Sequence, residues 1–250
     1  MAVTYAGGRI VLDAPPANSY EIEFMRELGA SVEAATADPD CRVVVVESAS
    51  ERFFCAGADI KTFLANDADT NMEMIRVAHA ALSSMAASPK LFVAWIAGHA
   101  LGGGLEIALA CDLRYGLDSG YRVGTPEVSL GLLPGNGGTQ RLPRLIGLGP
   151  ALDLLLTGRQ IEPQEARAMG LLSGLFGSRE EFEVHAERLG KGPPLAIANI
   201  KRAAYLGTQL ALEDGLKLER DLIEELFRSN DAREGLTAFT EKRAASFMGA

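Results

Sequence analysis

Two isolated glutamates stand among glycines and apolar residues in the middle of the chain. Glu106 ends the run Gly102-Gly103-Gly104-Leu105-Glu106, and Glu127 follows Gly124-Thr125-Pro126. Neither has a cation close by in sequence. Two carboxyl groups that share a poorly solvated site cannot both ionise easily, so one is pushed towards its protonated form. If the fold brings the two side chains together, they can serve as one general acid and one general base.

Glycines and other small residues cluster at three places that could expose backbone N–H groups to a ligand. The first is the turn from Phe53 to Lys61, directly after the apolar strand predicted at 43–47. The second is Gly102 to Gly104, where a strand is predicted to run into a short helix. The third is Gly135 to Gly138. The free N–H groups and the positive dipole end of a helix N-terminus would face whatever lies over these glycines.

Each of these motifs taken singly also has a simpler interpretation. Glu106 could be an ordinary helix-surface carboxylate, and Glu127 could sit near an exposed turn. The triple glycine could be only a tight crossing of a helix and a strand. Neither glycine cluster fits the GxGxxG pattern with an acid about 20 residues further on, so a dinucleotide site is not supported.

The predicted strands and helices that would position these residues indicate an α/β protein. Short β-branched runs predict strands, and longer stretches with helical spacing separate them, which implies a mostly parallel, covered sheet. From about residue 193 only helical spacing remains. We therefore expect a core over 1–192 and a helical segment over 193–250. The predicted strands are 9–12, 43–46, 91–97 and 171–176, and the predicted helices are 20–37, 72–87, 195–206, 210–228 and 233–247.

Composition sets the function classes that fit. The chain has 250 residues and a formal net charge of −9, so it repels nucleic acids and anionic membrane surfaces as a whole. Three cysteines without a CxxC pair argue against a disulfide framework or a metal site and for a reducing compartment. The N-terminus lacks the pattern of a secretory signal, and no apolar run approaches the ~20 residues of a membrane helix. We expect a cytoplasmic protein that binds neither membrane nor nucleic acid.

Taken together, in this order and spacing, the motifs resemble the crotonase superfamily and within it the enoyl-CoA hydratases. The resemblance covers nearly the whole chain and is strongest at 53–61, 97–142, 156–172 and 231–247. It implies a crotonase-type spiral of ββα turns with a C-terminal helical segment, assembled as trimers that pair into hexamers. No internal repeat is visible in the sequence itself.

The resemblance also assigns roles to individual residues. Ala58 and Gly103 match the two backbone N–H donors of an oxyanion hole, and Glu106 and Glu127 match the catalytic carboxylates. Other matching positions imply contacts with the acyl-CoA. Those positions are Ala56, Asp59, Ile60, Lys61, Gly135 and, from a neighbouring subunit, Lys242. For each lysine an ordinary solvated surface charge remains an alternative. No metal and no cofactor beyond the coenzyme A of the substrate is implied.

The function implied is reversible addition of water to a trans-2-enoyl-CoA, giving a 3-hydroxyacyl-CoA. Two alternatives stay open: another acyl-CoA enolate reaction such as double-bond isomerisation, and an acyl-CoA-binding paralogue without turnover. The chain departs from the family pattern before its first helix, in the run from Ala14 to Tyr20, where only Asn18 fits. The segment 63–73 gives no readable acyl-chain preference.

Three other kinds of residue near these motifs are expected to be structural. His79 lies on a predicted helix that would wall the acyl pocket, where a packing or hydrogen-bonding role is expected. Cys55 lacks a partner base and is expected to be a buried, inert thiol. Adaptable apolar side chains at helical spacing are expected to line the pocket or core. They are Met72, Met74, Leu82 and Met85.

Overall fold

The computed structural model describes residues 1–250 as an α/β fold. The strands are β1 Val3–Ala6, β2 Arg9–Leu12, β3 Val43–Ser48, β4 Phe53–Cys55, β5 Leu91–Ile96, β6 His99–Leu101, β7 Leu113–Leu117, β8 Val123–Gly124, β9 Gln160–Ile161 and β10 Gly174–Phe176. The helices are α1 Ile22–Ala37, α2 Ile60–Ala65, α3 Ala68–Ala87, α4 Gly103–Ala110, α5 Gly138–Ile146, α6 Leu148–Thr157, α7 Pro163–Ala168, α8 Arg179–Gly190, α9 Pro194–Gly207, α10 Leu212–Phe227 and α11 Asn230–Glu241. A 3-10 turn spans Pro126–Leu130.

The strands form two sheets that the chain visits alternately. The larger sheet has the order β1-β2-β3-β5-β7-β10 and is parallel except for the β1–β2 pair. The smaller sheet has the order β4-β6-β8-β9. Three successive units of the chain, beginning at β3, β5 and β7, each place one strand in each sheet before a helix follows. This arrangement confirms the predicted spiral of ββα turns.

The core lies between the larger sheet and the helix pair α1 and α3. All six residues of β5 are buried, as expected for a strand covered on both faces. The two helices approach closely where Gly29 meets Ala81, since a Cβ on Gly29 would lie 3.5 Å from the Ala81 Cβ. On the opposite face, Phe182 of α8 stacks on Trp95 at 4.3 Å between ring centroids. These layers hold the ends of β4 and β6 in fixed positions beside α4.

Helices α9 to α11 follow the core, and a buried ion pair ties α9 to it. Lys201 Nζ lies 2.8 Å from Asp112 Oδ2, and both side chains are buried. The last helix is shorter than the predicted 233–247: it begins at Asn230 and ends at Glu241. It ends there because Lys242 adopts a left-handed conformation, with φ 55°, in which Arg243 donates its N–H to the Ala238 carbonyl.

One further expectation is corrected by the structure. The apolar run at 171–176 forms a strand only from Gly174 to Phe176, because Leu171 and Leu172 are buried in the turn after α7. Met74, Leu82 and Met85 belong to the core, whereas Met72 is half-exposed because it lies on the outer face of α3. No helix combines the length and the apolar character needed to cross a membrane.

Candidate active site

The N-terminus of α4 is built so that its first backbone N–H groups stay uncapped. Gly102 precedes the helix with φ 55°, a conformation that favours glycine, and it has no side chain that could cap the helix. A Cβ on Gly103 would lie 1.9 Å from the Tyr20 hydroxyl oxygen, and one on Gly104 would lie 2.0 Å from the Cys55 carbonyl oxygen. The glycines are therefore required by close packing beneath the helix end.

The turn after β4 leaves one backbone N–H group without an acceptor. Ala56 donates to the Ala17 carbonyl and Asp59 to the Tyr20 carbonyl, while Gly57 donates weakly to the Cys55 sulfur. Ala58 N–H has no hydrogen-bond partner in the chain. A Cβ on the neighbouring Gly57 would lie 3.3 Å from the Gly103 nitrogen, so this turn packs directly against the start of α4. The structure thus brings the segments of Ala58 and Gly103 together, as predicted.

Glu106 lies one turn into α4, and its side chain is buried. Its Oε1 atom accepts hydrogen bonds from the Asn136 N–H at 2.8 Å and the Gly138 N–H at 2.6 Å. Burial raises the pKa of this carboxyl group to about 7, and the negative charge of Glu127 adds to the rise, whereas the two amides oppose it. A carboxyl group balanced in this way can gain or lose a proton near neutral pH.

Glu127 reaches the same helix end from the 3-10 turn. Its Oε1 atom lies 2.8 Å from where a Cβ on Gly102 would stand. Its Oε2 atom is buried and has no hydrogen-bond partner. Burial raises the pKa of this group above its usual value. Both predicted carboxyl groups therefore flank the N-terminus of α4, and the Glu127 Oε2 atom is free to bond to a ligand or to water.

The positions expected to contact coenzyme A are spread around this centre. Ala56 lies in the turn that holds Ala58. Asp59 is the N-cap of α2, where its Oδ1 accepts from the Thr62 N–H at 2.9 Å, so its carboxylate is already engaged. Ile60 and Lys61 are exposed in the first turn of α2. These four residues thus form one side of the approach to Ala58.

Gly135 lies in the loop before α5, and Lys242 directly follows the last helix, α11. The Gly135 carbonyl contacts the His79 Nε2 atom at 2.6 Å, so α3 and the loop before α5 meet beside Glu106. This contact gives His79 the hydrogen-bonding role expected for it. Lys242 is exposed at the end of α11, which packs on α10. The structure does not bring Lys242 to the other predicted residues within one chain.

Two residues at the centre had no role in the predicted site. The Asn136 side-chain N–H donates to the Tyr20 hydroxyl, and both residues are buried. The sequence around each residue marks its position as unusual. Tyr20 lies in the run that departs from the family pattern, and Asn136 lies inside the third glycine cluster. The sequence does not indicate that the two residues pair, because 116 positions separate them in the chain.

The other reactive side chain near the centre is inert. Cys55 is fully buried, and its thiol donates to the Asn18 carbonyl at 3.0 Å. Burial raises the pKa of this thiol to about 12, so the nucleophilic thiolate is scarce at neutral pH. No group of three or more His, Cys, Asp or Glu side chains lies close enough together to hold a metal ion.

Known proteins are similar to this chain in sequence and fold along nearly its whole length. Residues 7–250 match the family model for enoyl-CoA hydratase/isomerase. An enoyl-CoA hydratase of Geobacillus kaustophilus HTA426 has a similar solved structure, with 42% identity, a TM-score of 0.93, and coverage of 97% of this chain and 93% of its own. An enoyl-CoA hydratase of Bacillus anthracis is 34% identical with a TM-score of 0.94 over all of both chains.

A curated relative adds a named substrate. The mitochondrial methylglutaconyl-CoA hydratase of Rattus norvegicus is 35% identical over 240 residues, which cover 93% of this chain and 76% of that protein. The match over residues 7–250, the fold and relatives that are 34% to 42% identical show that the chain belongs to the enoyl-CoA hydratase/isomerase family of the crotonase superfamily.

Proposed function

We propose that this protein is an enoyl-CoA hydratase, which adds water reversibly to a trans-2-enoyl-CoA to give a 3-hydroxyacyl-CoA. The observation that carries the proposal is that two carboxyl groups flank a helix N-terminus with uncapped amides: Glu106, which is buried, and the half-buried Glu127, whose Oε2 atom is buried. Hydration needs both a base for the water and an acid for the α-carbon. Many acyl-CoA enolate reactions need only one such group.

The amides of Ala58 and Gly103 would bind the thioester oxygen. Attack of water on the conjugated thioester moves negative charge onto that oxygen, and preorganised N–H groups stabilise the enolate more than the substrate. Loss of one such donor typically costs about 2.7–4 kcal/mol. The unsatisfied N–H of Ala58 and its packing against the start of α4 support this role.

Glu106 would take the proton from water and Glu127 would deliver one to the α-carbon. In the hydration direction the water oxygen bonds to C3, the electrons of the double bond pass through the enolate, and the new C–H bond forms at C2. The two amides on Glu106 favour its ionised form, which a base needs. The unpartnered Oε2 of Glu127 leaves an oxygen free to carry a proton. The roles reverse in dehydration.

The CoA part of the substrate is an anion that meets an acidic protein. Lys61, which is exposed beside the Ala58 turn, would meet its phosphates, and the backbone of Ala56, Asp59 and Ile60 would bind the adenine. Gly135 would line the acyl side of the site. Lys242 would serve the site of a neighbouring subunit, which fits its distance from the centre of its own chain. No metal or separate cofactor enters this reaction.

The same proposal includes the assembly and location of the protein. We infer a homotrimer, or a hexamer made of two trimers, as the resemblance to the family implies. Large apolar side chains of the C-terminal helices that are exposed in the single chain support self-association. The three cysteines are free and buried, which supports a reducing compartment such as the cytoplasm. Membranes and nucleic acids are not proposed as partners.

The direct test follows the loss of the conjugated enoyl absorbance of crotonyl-CoA. Glu106→Gln and Glu127→Gln should each lower hydration by about 10²- to 10⁴-fold while acyl-CoA affinity changes little, because general acid–base steps supply about that much rate. Glu73→Gln, on an exposed glutamate of α3, is the matched control.

The substrate range of the unaltered protein decides between the reactions. Enoyl-CoAs of increasing length, aliphatic and aromatic, should reveal which acyl group is hydrated fastest. The proposal is wrong if none of them is hydrated. Turnover of a 3-enoyl-CoA in that case would identify isomerisation, and tight acyl-CoA binding without turnover would identify a binding protein.

A further inference from the structure

The side chain of Tyr20 places a buried hydroxyl group at the centre of the site. The proposed reaction does not use this hydroxyl group. The Tyr20 ring packs beneath the start of α4, where the hydroxyl oxygen occupies the space that a Cβ on Gly103 would need. That oxygen accepts a hydrogen bond from the Asn136 side chain. Burial, followed by the nearby charge of Glu106, raises the pKa of the phenol well above its usual value, so the group stays neutral.

Asn136 is fixed by three contacts, and each uses a different part of the residue. Its side-chain N–H donates to the Tyr20 hydroxyl, and its backbone carbonyl accepts from the Arg141 guanidinium at 2.8 Å. Its backbone N–H donates to Glu106. The residue is 1% exposed. One of the two amides that hold the Glu106 carboxyl group therefore belongs to a residue whose side chain is held by Tyr20.

The chain around Asn136 is irregular, and side-chain contacts rather than a helix or strand hold its shape. Residues 131–137 form neither helix nor strand, and three of the seven are glycines. Glycine-rich loops lose much conformational entropy on ordering. A side-chain anchor in the middle of such a loop therefore matters more for the position of its amides than it would in a helix.

We propose that Tyr20 and Asn136 form a positioning pair that holds the loop before α5 against Glu106 and so fixes the carboxyl group of that residue in the site. The proposal deepens the function proposed above and rests on it for the role of Glu106. It also gives a physical reason for two residues that had no role in the predicted site. Loss of the pair should weaken the Asn136 amide contact and disfavour the ionised carboxylate.

The charged and titratable groups that face Glu106 are few, so its titration can report on the pair. They are Glu127 of the 3-10 turn, Arg141 of α5 and Tyr20 itself. Neither Tyr20→Phe nor Asn136→Ala removes a charge from this set. Tyr20→Phe also keeps the aromatic ring and its packing, so the fold is preserved while the hydroxyl contact is lost.

The experiment is a titration of the Glu106 carboxyl carbon by NMR in protein labelled with ¹³C-glutamate, assigned with Glu106→Gln. Tyr20→Phe and Asn136→Ala should each raise the Glu106 pKa by about half a unit or more. The double variant should give little more than Asn136→Ala alone, because both changes break the same contact. Tyr5→Phe removes another hydrogen-bonded tyrosine hydroxyl, bound to Asp38 away from the site, and should leave the titration unchanged.

Turnover measurements separate this proposal from the proposed reaction. If the protein hydrates enoyl-CoAs, the acidic limb of kcat in Tyr20→Phe should move to higher pH together with the NMR titration, with KM nearly unchanged. An unchanged Glu106 titration in both folded variants would overturn the positioning pair. A shifted titration in a protein that hydrates no enoyl-CoA would uphold the pair and overturn only the proposed reaction.

Discussion

At the scale of single residues, Glu106 is held between two opposing effects. Burial favours its neutral form, and two backbone amides favour its ionised form. The outcome, a pKa of about 7, lies in the range that general acid–base catalysis at neutral pH requires. The sequence could indicate that two carboxyl groups share a dry site. The sequence does not predict how burial and hydrogen bonding balance in the pKa of Glu106, because the two amides come from residues some 30 positions away.

The pH dependence of hydration follows from this balance. A base must be ionised, so kcat/KM should rise with pH as Glu106 loses its proton, with a midpoint near pH 7. The measurement is kcat/KM for crotonyl-CoA between about pH 5 and pH 9. A rate that falls steadily as the pH rises from acid to neutral would contradict the assignment of Glu106 as the base.

The raised pKa also makes Glu106 a cost to folding at alkaline pH. The Glu106 carboxyl group binds its proton more tightly in the folded protein than in the unfolded chain. Proton binding therefore contributes its full stabilisation below the ordinary pKa of a glutamate, and this stabilisation is lost as the pH rises through about 7. Glu106→Gln should therefore raise the free energy of unfolding at pH 8, by up to about 3 kcal/mol. Urea unfolding at pH 8 and pH 4 checks this, because the gain should vanish at the lower pH.

Gly103 offers a steric test of the helix terminus. In Gly103→Ala the new Cβ must displace the buried Tyr20 hydroxyl or the helix end that carries the amide, at a cost of about 1–3 kcal/mol in stability. Loss of a well-placed amide should lower hydration by about 10²- to 10³-fold. Gly120→Ala, where a Cβ meets open space, is the control. Full activity in Gly103→Ala would remove this amide from the site.

At the scale of elements, periodicity predicted the long helices and the buried strands but not the second sheet. Val43–Ser48 and Leu91–Ile96 are apolar runs between polar turns, and α1 and α3 repeat apolar residues every three or four positions. The strands β4, β6, β8 and β9 have only two or three residues each. Segments this short show no hydrophobic periodicity, so the sequence does not reveal the ββα repeat. The structure shows it in the side-by-side pairing of β4, β6 and β8.

The attachment of α9 to the core gives a prediction at this scale. Lys201 contacts Asp112 and also donates to the carbonyls of Met85 and Lys90. Lys201→Met would leave the Asp112 carboxylate buried without its cation, which should cost about 3–5 kcal/mol of the free energy of unfolding. Urea unfolding measures the cost, with Lys217→Met on the exposed face of α10 as control. A loss no larger than that of the control would show that α9 is held by packing alone.

At the scale of the whole molecule, the single chain leaves an apolar surface on its C-terminal helices. Phe227, Leu236 and Phe239 are 71%, 67% and 84% exposed, and Lys242 follows directly after the helix that carries the last two. Large apolar side chains left exposed on helices that pack together are typical of surfaces that bind another protein. A self-association that covers them would also carry Lys242 towards a neighbour, where the resemblance to the family places its contact with coenzyme A.

Leu236→Lys combined with Phe239→Lys tests both parts of this idea in one variant. Light scattering should give the unaltered protein a mass about three or six times 26.6 kDa and the variant a smaller one. Because an isolated chain would lose the partner's lysine, acyl-CoA should also bind the variant more weakly, although Glu106 and Glu127 are untouched. Lys217→Glu, an exposed charge reversal on α10, should keep both mass and affinity. An unaltered protein that runs as a single 26.6 kDa chain would contradict the assembly, and a dissociated variant with full affinity would place Lys242 outside the substrate site.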